Sequence, residues 1–538
     1  MQASIDSATS SPYLPMTDSK ALDPAHVETL SPSPEPVPRG FDVVKRNKRV
    51  LGWCLLIYLL PINFGFEIAL VGKVLAIPSF LERFGSDTDS GIREIPARTQ
   101  QILSASSTIG IFVAAFTTGF LSDIWGRRNV VFVGCFLCIT GILVQGFCTS
   151  IMMLFGGKLT STLGFGLGHS LAPVFVAEIA PDELRGVCLT LINTMIVIGA
   201  WGCSLVGYGG TFIDGDWGWR MPIFAQLVPP VLMLILGFFL LPESPSWLLM
   251  KGQRERAAQC LRKFRGQDFD AEAALAVMEA TLEKERSLNE QGSSYLECFK
   301  GSNLRRTLIV VQVYVAQQFV GSGFVSGYLP YFFTLSGVRN PVGVAQISYS
   351  LQLLGNIMSW PLVDRLGRRP LIVWGTAALA AVLLVIGGIS TINKSKPVLS
   401  AVVAFMSIWG FLYQLTLGAV AYAVGGETPT PRLRQKTYSI NVMSNTAASV
   451  VVTQLIPILI NPGKANLGGK VAFVFFGPSC LLFISLWLTF PELKGRSYLE
   501  MEEMFQKGVP SRQFKSYVCK TEIIQPGDGE KPVVVMKD

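Results

Sequence analysis

Charged residues and histidine are scarce in this sequence. Only 15% of its 538 residues are Asp, Glu, Lys or Arg, whereas 50% are hydrophobic. A soluble core cannot bury that much apolar surface, so the composition excludes a soluble globular protein and indicates a membrane protein. The two histidines offer neither a nucleophile with its base nor a metal cluster. We therefore expect no enzyme, no cofactor and no metal site.

The cysteines and the net charge of +8 do not point to redox chemistry or nucleic acid. Most cysteines lie in apolar runs, where cysteine acts as a small hydrophobe. Cys135 and Cys138 form a CxxC motif, but without histidine or further cysteine nearby this is a weak metal or redox signal. The Lys and Arg residues fall mainly in short turns between apolar runs, which indicates membrane topology and no nucleic-acid partner.

Twelve apolar runs approach the ~20 residues needed to cross a bilayer. We predict spans at 50–72, 100–121, 129–149, 152–175, 187–209 and 220–241, and at 307–332, 343–363, 370–390, 398–424, 437–460 and 470–490. The predicted fold class is an all-α membrane protein with two six-helix bundles at 50–241 and 307–490. Residues 1–49, rich in Ser, Pro and acids, are predicted to be a disordered cytoplasmic tail. A cytoplasmic linker at 242–306 contains short helices such as 271–286, and a cytoplasmic tail follows at 491–538.

A repeat also indicates two similar halves. "GFLSDIWGRR" at 119–128 is similar to "PLVDRLGRR" at 361–369, with Asp123 and Asp364 separated by 241 residues. "EIAPDELR" at 178–185 is similar to "ETPTPRLR" at 427–434, 249 residues later. Glu243 and Glu492, each after a proline, share that second offset. Such pairs predict a duplicated six-span unit with a substrate site between the halves.

Ionisable side chains inside a span are costly to bury and are therefore functional candidates. Glu67 in the first span and Lys158 near the start of the fourth can pair across the bundle. A carboxylate that alternates between a lysine and a proton can couple substrate to proton movement, although a purely structural ion pair is the alternative. Lys73 lies six residues after Glu67 and either faces another side of the helix or competes with Lys158. His169 is interpreted as a packing residue.

Amide side chains within spans suit a ligand with many hydroxyls, because an amide both donates and accepts hydrogen bonds. Such amides can equally join one helix to another. The candidates are Asn193, Gln317, Gln318, Gln352, Asn356, Asn441 and Asn445.

These motifs together resemble the sugar porter family of the major facilitator superfamily, and within it the fungal α-glucoside (maltose-type) permeases. The likeness runs from about residue 50 to 505. It rests on both D-x-x-G-R-R turns, both E-x6-R turns, "PESPSWLLMKG" at 242–252, "QQFVGSG" at 317–323 and "PELKGRS" at 491–497.

The resemblance implies a transporter of a sugar or glucoside that works by proton symport and alternating access. It implies a cytoplasmic gate at Asp123, Arg127, Arg128, Glu178, Arg185, Glu243, Asp364, Arg368, Arg369, Glu427, Arg434 and Glu492. It implies substrate binding at Asn193, Gln317, Gln318, Gln352, Tyr422 and Asn445, and proton coupling by Glu67 with Lys158. We further predict that the gate closes through clusters of Asp123 with Arg185 and of Asp364 with Arg434, which must break when the site opens inward.

Several positions depart from the family. Gly323, Gly327 and Ala419 stand where the family has asparagine, tyrosine and proline, Tyr422 replaces a tryptophan, and Lys73 replaces a glycine. A wider and less polar cavity favours an alternative function. This alternative is a transporter of the same family that moves a non-sugar small molecule, such as efflux of a fungal secondary metabolite. Both functions remain open from the sequence.

The expected location is the plasma membrane, as a multi-pass protein with both termini in the cytoplasm. The expected partners are the small-molecule substrate, protons and the lipid bilayer, and the chain is expected to act as a monomer. Asn393 belongs to the only N-glycosylation sequon, and the predicted topology puts it outside the cell.

Overall fold

The structure is a computed structural model. It describes residues 45, 47–74, 77–87, 93–94, 96–181, 184–267, 269–288, 294–327, 329, 341–392, 395–430, 432–460, 465, 467–496, 498–519, 521–524 and 533–536. The predicted disordered tail, apart from residues 45 and 47–49, and the candidate glycosylation site Asn393 lie outside the described residues.

The first half contains six spans, which we number in chain order. They are span 1 (Lys48–Ile57 and Leu59–Val74), span 2 (Ala97–Trp125), span 3 (Arg127–Gly146), span 4 (Ile151–Ile179), span 5 (Arg185–Gly210) and span 6 (Trp217–Ala225 and Val228–Leu240). Apolar runs form these helices because a helix satisfies its own backbone hydrogen bonds in lipid. The start of span 4 is capped by Ser150, whose hydroxyl accepts a hydrogen bond from the backbone N–H of Met153 at 3.2 Å.

The second half repeats the pattern. It contains span 7 (Gly301–Gln317 and the π-helix Gln318–Gly327), span 8 (Pro341–Leu366), span 9 (Arg368–Ile389), span 10 (Lys396–Tyr413, the π-helix Gln414–Gly418 and Ala419–Glu427), span 11 (Arg434–Ile460) and span 12 (Val471–Thr489). Each predicted span overlaps one of these helices. The predicted end of span 7, at 332, lies outside the described residues.

Eleven helices in the described part of the chain are long and apolar enough to cross a membrane. Span 8 is the twelfth, with 26 residues. Its polar residues Gln346, Gln352 and Asn356 lower its hydropathy, which explains why composition alone does not select it. The predicted fold class, twelve transmembrane helices in two six-helix bundles, is confirmed.

Shorter elements connect or follow the spans. The helices are Pro78–Phe84, Pro245–Met250, Arg254–Arg265, Ala271–Leu288 and Tyr498–Gln506, with 3-10 turns at Tyr295–Phe299, Gly468–Lys470 and Ser511–Gln513. Two antiparallel hairpins pair β1 (Ser86–Asp87) with β2 (Arg93–Glu94) and β3 (Thr521–Ile524) with β4 (Val533–Met536). The helix predicted at 271–286 is observed at Ala271–Leu288.

The two halves contact each other mainly through span 2 with span 11 and through span 5 with span 8. We call the end of the bundle where spans 2 and 8 finish the arginine end, and the opposite end, where span 1 finishes, the far end. Large apolar side chains such as Phe136, Phe238 and Leu481 are exposed on the outside. This is the surface expected to face lipid, because it is as apolar as the bilayer core.

Candidate functional site

A carboxylate holds the turn between spans 2 and 3 at the arginine end. Glu243 accepts hydrogen bonds from the backbone N–H groups of Arg127 at 2.8 Å, Arg128 at 3.2 Å and Ser244 at 2.9 Å. The first two belong to the N-terminus of span 3, where unpaired N–H groups favour an anion. Gly126 before them has φ +89°, and a Cβ there would meet the Glu243 carboxylate. The turn therefore requires glycine.

Burial raises the pKa of the Glu243 carboxyl above its usual range. The backbone N–H groups of Ser244, Arg128 and Arg127 act in the opposite direction, because they stabilise the charged form.

The side chain of Arg127 fastens the end of span 2 to span 4. Its guanidinium donates to Glu178 at 3.2 Å and to the Ser122 carbonyl at 3.0 Å, and it lies 3.8 Å from Asp123. The other oxygen of Glu178 accepts a hydrogen bond from the Ser244 hydroxyl. Both carboxylate oxygens therefore have partners, which a buried carboxylate needs.

The second half repeats this arrangement. Glu492 accepts from the backbone N–H groups of Arg368 at 2.9 Å and Arg369 at 3.1 Å, and the preceding Gly367 has φ +93°. Arg368 donates to both oxygens of Glu427, at 2.8 and 3.1 Å, and lies 3.5 Å from Asp364.

The second arginine of each pair is bound to the carbonyl end of another span. Arg128 donates to the Phe238 carbonyl at 2.8 Å, and Arg369 donates to the Trp487 carbonyl at 2.9 Å. Guanidinium groups at these positions satisfy the free carbonyls at the ends of spans 6 and 12.

The predicted closing clusters differ from those observed. Among the described residues, the ion pairs of Asp123 are with Arg127 and with Lys436 of span 11, and that of Asp364 is with Arg368. Arg185 and Arg434 instead flank the ring of Tyr498, at 4.6 and 4.8 Å from its centroid. Neither predicted pair is therefore found among the ion pairs of the described residues. The cation from the other half that meets Asp123 is Lys436, which motif spacing alone does not reveal.

A buried ion pair with a glutamine partner lies inside the first half. Lys158 of span 4 contacts one oxygen of Glu67 in span 1, and the Gln226 amide donates to the other oxygen at 2.8 Å. All three side chains are buried. The structure therefore brings Glu67 and Lys158 together as predicted, and it adds a glutamine at the bend in the middle of span 6.

Lys73 belongs to a different environment from that of Glu67. Its ammonium donates to the Tyr349 hydroxyl of span 8 at 2.7 Å and lies 4.3 Å from the centre of the same ring. The six-residue separation rotates Lys73 to another side of span 1. This answers the question that the sequence left open, because Lys73 does not share the Glu67 carboxylate in this structure.

Three predicted binding residues form one amide cluster in the second half. The Asn445 amide donates to the Tyr314 carbonyl at 2.7 Å and lies 3.4 Å from the Gln317 oxygen, and Gln318 donates to Asn445 at 3.1 Å. Gln317 also donates to the Gly418 carbonyl in span 10 at 3.2 Å.

Asn193 lies in a second polar group, which joins the two halves. It donates to Gln414 in span 10, and Asn356 of span 8 donates to the same oxygen at 3.3 Å. Asn356 in turn accepts from Thr194 of span 5. These contacts cross between the halves near the middle of the spans.

The remaining two predicted binding residues have no hydrogen bond to either group in the described part of the chain, although the Tyr422 ring lies 5.8 Å from that of Tyr314. Gln352 accepts a hydrogen bond from the Ser326 hydroxyl at 3.4 Å. The ring of Tyr422 lies 6.0 Å from His169 in the first half, and His169 stacks on Phe64 at 3.7 Å. His169 therefore packs between rings, as interpreted from the sequence.

The halves contact each other at both ends as well as in the middle. Asp123 pairs with Lys436 at the arginine end. At the far end, the Gln346 amide of span 8 donates to the Ser204 hydroxyl of span 5 at 2.7 Å. The halves are thus in contact on both sides of the amide groups.

The sequence prediction missed several polar residues that complete these groups: Ser204, Gln226, Ser244, Gln346, Gln414, Lys436 and Tyr498. Gln226 and Gln414 lie in apolar runs, so the intramembrane-polarity rule that selected Asn193 could have found them. Lys436 and Tyr498 lie at helix starts, where polar residues are common and carry no signal. In the described part of the chain, no group of three His, Cys, Asp or Glu residues is arranged to hold a metal ion.

Known proteins share this organisation. The "Sugar (and other) transporter" family matches residues 53–505. The general alpha-glucoside permease of Saccharomyces cerevisiae is 28% identical over 475 residues, covering 87% of this chain and 77% of that protein. The maltose permease MAL61 of Saccharomyces cerevisiae is 29% identical over 486 residues, covering 88% and 78%.

Solved structures show the same fold. The major facilitator proton:xylose symporter XylE bound to 6-bromo-6-deoxy-D-glucose aligns with a TM-score of 0.74 at 22% identity, covering 85% of this chain and 99% of that one. The inward-open conformation of the xylose transporter XylE from E. coli aligns with a TM-score of 0.65 at 20% identity, covering 84% and 99%. The chain thus has the major facilitator fold and belongs to the sugar (and other) transporter family of membrane transporters.

Proposed function

We propose that the protein moves a sugar or glucoside across the plasma membrane by proton symport and alternating access. The yeast relatives described above are named as α-glucoside and maltose permeases, and the fold is that of a proton:xylose symporter. These relatives favour a sugar over the alternative of an exported secondary metabolite.

The observation that carries the proposal is the presence of two amide groups, one within the second half and one that joins the two halves. Gln317, Gln318 and Asn445 are hydrogen-bonded to one another or to backbone, and Asn193 reaches Gln414 across the interface. A sugar hydroxyl both donates and accepts, so it can replace each of these amide partners without leaving a buried polar atom unpaired. This exchange of equivalent hydrogen bonds suits a site that must bind and release its cargo.

Glu67, Lys158 and Gln226 provide the proton site. While Glu67 is ionised, its charge and that of Lys158 compensate each other in the apolar interior. Protonation of Glu67 removes that compensation and leaves a buried ammonium, which favours a rearrangement of spans 1, 4 and 6. Proton binding is thereby linked to conformation.

The arginine end is assigned to the cytoplasm, with both termini on that side and a monomer as the working unit. Lys and Arg in the short turns at this end agree with the positive-inside bias. The Asp123–Lys436 pair and the two arginines around Tyr498 would then close the cytoplasmic side and must separate when the site opens inward.

The test is uptake of labelled maltose and glucose in a yeast that lacks its own sugar transporters. We expect accumulation of one of them that disappears when the pH gradient is collapsed. Glu67→Gln should retain exchange of labelled for unlabelled sugar but lose accumulation, because the amide keeps the hydrogen bonds without carrying a proton.

Glu67→Asp is the matched control, since it shortens the side chain but keeps an ionisable carboxyl. It should accumulate sugar, although more slowly. If the wild type takes up neither sugar, the proposed substrate class is wrong. If Glu67→Gln accumulates sugar as well as the wild type, Glu67 is only a structural partner of Lys158.

A further inference from the structure

The three buried lysines in the described part of the chain have different partners. Lys158 lies against Glu67, and Lys436 lies against Asp123. Lys73 is also buried, at 8% exposure, but its polar partner is the uncharged Tyr349 hydroxyl. A tyrosine hydroxyl and ring face offset only part of the cost of burying an ammonium group, so this cation lacks the counter-ion that the other two have.

Lys73 lies where the two halves meet at the far end. It belongs to the last turn of span 1, and its Cβ lies 3.5 Å from the position that a Cβ on Gly207 of span 5 would take. The neighbouring Gly72 faces the Gly327 carbonyl of span 7, and Tyr349 belongs to span 8. Spans 5, 7 and 8 therefore lie beside the last turn of span 1, and the ammonium group itself contacts span 8.

A chain of hydrogen bonds connects Lys73 with a predicted sugar-binding amide. Lys73 donates to the Tyr349 hydroxyl, which donates to the Ser326 carbonyl at 3.2 Å. The Ser326 hydroxyl donates to Gln352 at 3.4 Å. The ammonium group is thus linked through Tyr349 and Ser326 to Gln352, one of the predicted binding residues.

We propose that Lys73 binds a carboxylate of the cargo, so that the transported compound is an acidic sugar, such as an aldonic or uronic acid or its glycoside. The inference rests on the proposed sugar transport and specifies its substrate class. When the far end opens, water can solvate the ammonium group. Closure removes that water, and a carboxylate on the cargo restores a favourable environment for the charge.

Tyr349 supplies the second donor for this carboxylate. Its hydroxyl can turn from the Ser326 carbonyl to the cargo, so that one carboxylate oxygen faces Lys73 and the other faces tyrosine. Glu67 does not compete, because both of its oxygens are occupied by Lys158 and Gln226. The result is a site that closes more favourably around an anionic sugar than around its neutral counterpart.

The test compares maltose with maltobionate, in which the reducing glucose is oxidised to gluconate and carries one carboxylate. Purified protein in liposomes is assayed by exchange of each labelled compound at neutral pH. We expect the wild type to exchange maltobionate with an apparent affinity at least about tenfold higher than that for maltose, because a hydrogen bond to a charged group is involved. Lys73→Met should lower this preference about tenfold or more.

Two further variants distinguish loss of the binding group from misfolding. Lys73→Arg keeps the charge and should retain a preference for maltobionate, whereas Tyr349→Phe keeps Lys73 but removes the second donor and should retain only part of it. Gel filtration in detergent checks the fold of each variant. Preference for the acid in the wild type and Lys73→Arg, with its loss in Lys73→Met, supports the inference.

Other outcomes overturn it. If maltose is exchanged and maltobionate is not preferred, or if Lys73→Met keeps the preference, Lys73 is not a carboxylate site, while sugar transport itself stands. If neither compound is exchanged by folded wild-type protein, the proposed sugar transport fails and the inference fails with it.

Discussion

The arginine–carboxylate clusters of the two halves share a backbone but differ in side-chain partners. In both, a left-handed glycine, a helix N-terminus and a glutamate build the same turn. Glu178 receives one bond from Arg127 and one from the Ser244 hydroxyl, whereas Glu427 receives both bonds from Arg368. Leu493 stands where the first half has Ser244, so no hydroxyl is available there. The comparison teaches that each of these carboxylates receives two hydrogen bonds, from whichever side chains its half supplies.

The clusters also differ in how they join the halves. Asp123 pairs with Lys436 across the interface, whereas the ion pair of Asp364 is with Arg368 in its own half. The Asp364 side chain is 45% exposed and that of Asp123 is 34% exposed. A closing contact at the arginine end therefore depends on the first-half acid more than on its counterpart.

The largest losses of stability are expected at the glycine of the turn, which both clusters share. Gly126→Ala and Gly367→Ala should each destabilise the protein by about 2 kcal/mol or more, because a side chain is strained at these positive φ values and its Cβ would meet the capping carboxylate. Unfolding temperature in detergent is the measurement. Gly156→Ala is the control, since a Cβ there has open space. Markedly unequal losses at the two glycines would contradict a shared backbone requirement.

Replacing the first arginine of each pair by lysine should destabilise the protein to different extents in the two clusters. Arg368→Lys loses a bidentate bond and should cost about 2 kcal/mol, whereas Arg127→Lys loses a single carboxylate bond and should cost about 1 kcal/mol. The unfolding temperature in detergent ranks the two variants. Equal costs would show that the second bond of Arg368 has no energetic weight.

The two acids should differ in how strongly they hold the arginine end closed. Asp123→Asn removes the charge that pairs with Lys436 and should shift the protein toward opening at the arginine end, while Asp364→Asn leaves this cross-half contact intact. The labelling rate of a cysteine introduced near Lys436 should therefore rise several-fold in Asp123→Asn. This corresponds to a loss of about 1 kcal/mol of free energy that favours the closed arginine end. A larger rise in Asp364→Asn would reverse the assigned asymmetry.

The smallest effect concerns Ser244 itself. Ser244→Ala removes the second partner of Glu178 and should cost about 1 kcal/mol. Combined with Arg127→Lys, the two losses should not add, since both act on one carboxylate. Ser390→Ala is a suitable control, because that hydroxyl donates within its own helix. Strict additivity would indicate that Ser244 acts only as the cap of the helix that follows it.

Much of the site could be found from the sequence because duplication marks it. The two D-x-x-G-R-R turns identified Asp123, Arg127, Asp364 and Arg368. The E-x6-R repeat identified Glu178 and Glu427, and the family resemblance assigned them to the same gate. The cost of an ionisable group in a span identified Glu67 and Lys158, and the structure brings them together. The partners Gln226, Lys436 and Tyr498 were missed, since their roles depend on which helices are neighbours.

The sequence by itself determined the twelve spans, the two-fold repeat and the family, because hydrophobic length and motif spacing are local properties of the chain. The sequence also suggested the pair of Glu67 with Lys158, but only the tertiary structure decided the partners of Lys73 and Asp123. A helix turns about 100° per residue, so a separation of six residues is enough to direct Glu67 toward Lys158 and Lys73 toward Tyr349. Arg434 and Lys436 are two residues apart and therefore face different sides of span 11, where Lys436 meets Asp123. Such pairings form between helices that are distant in sequence, and their partners are fixed by helix packing.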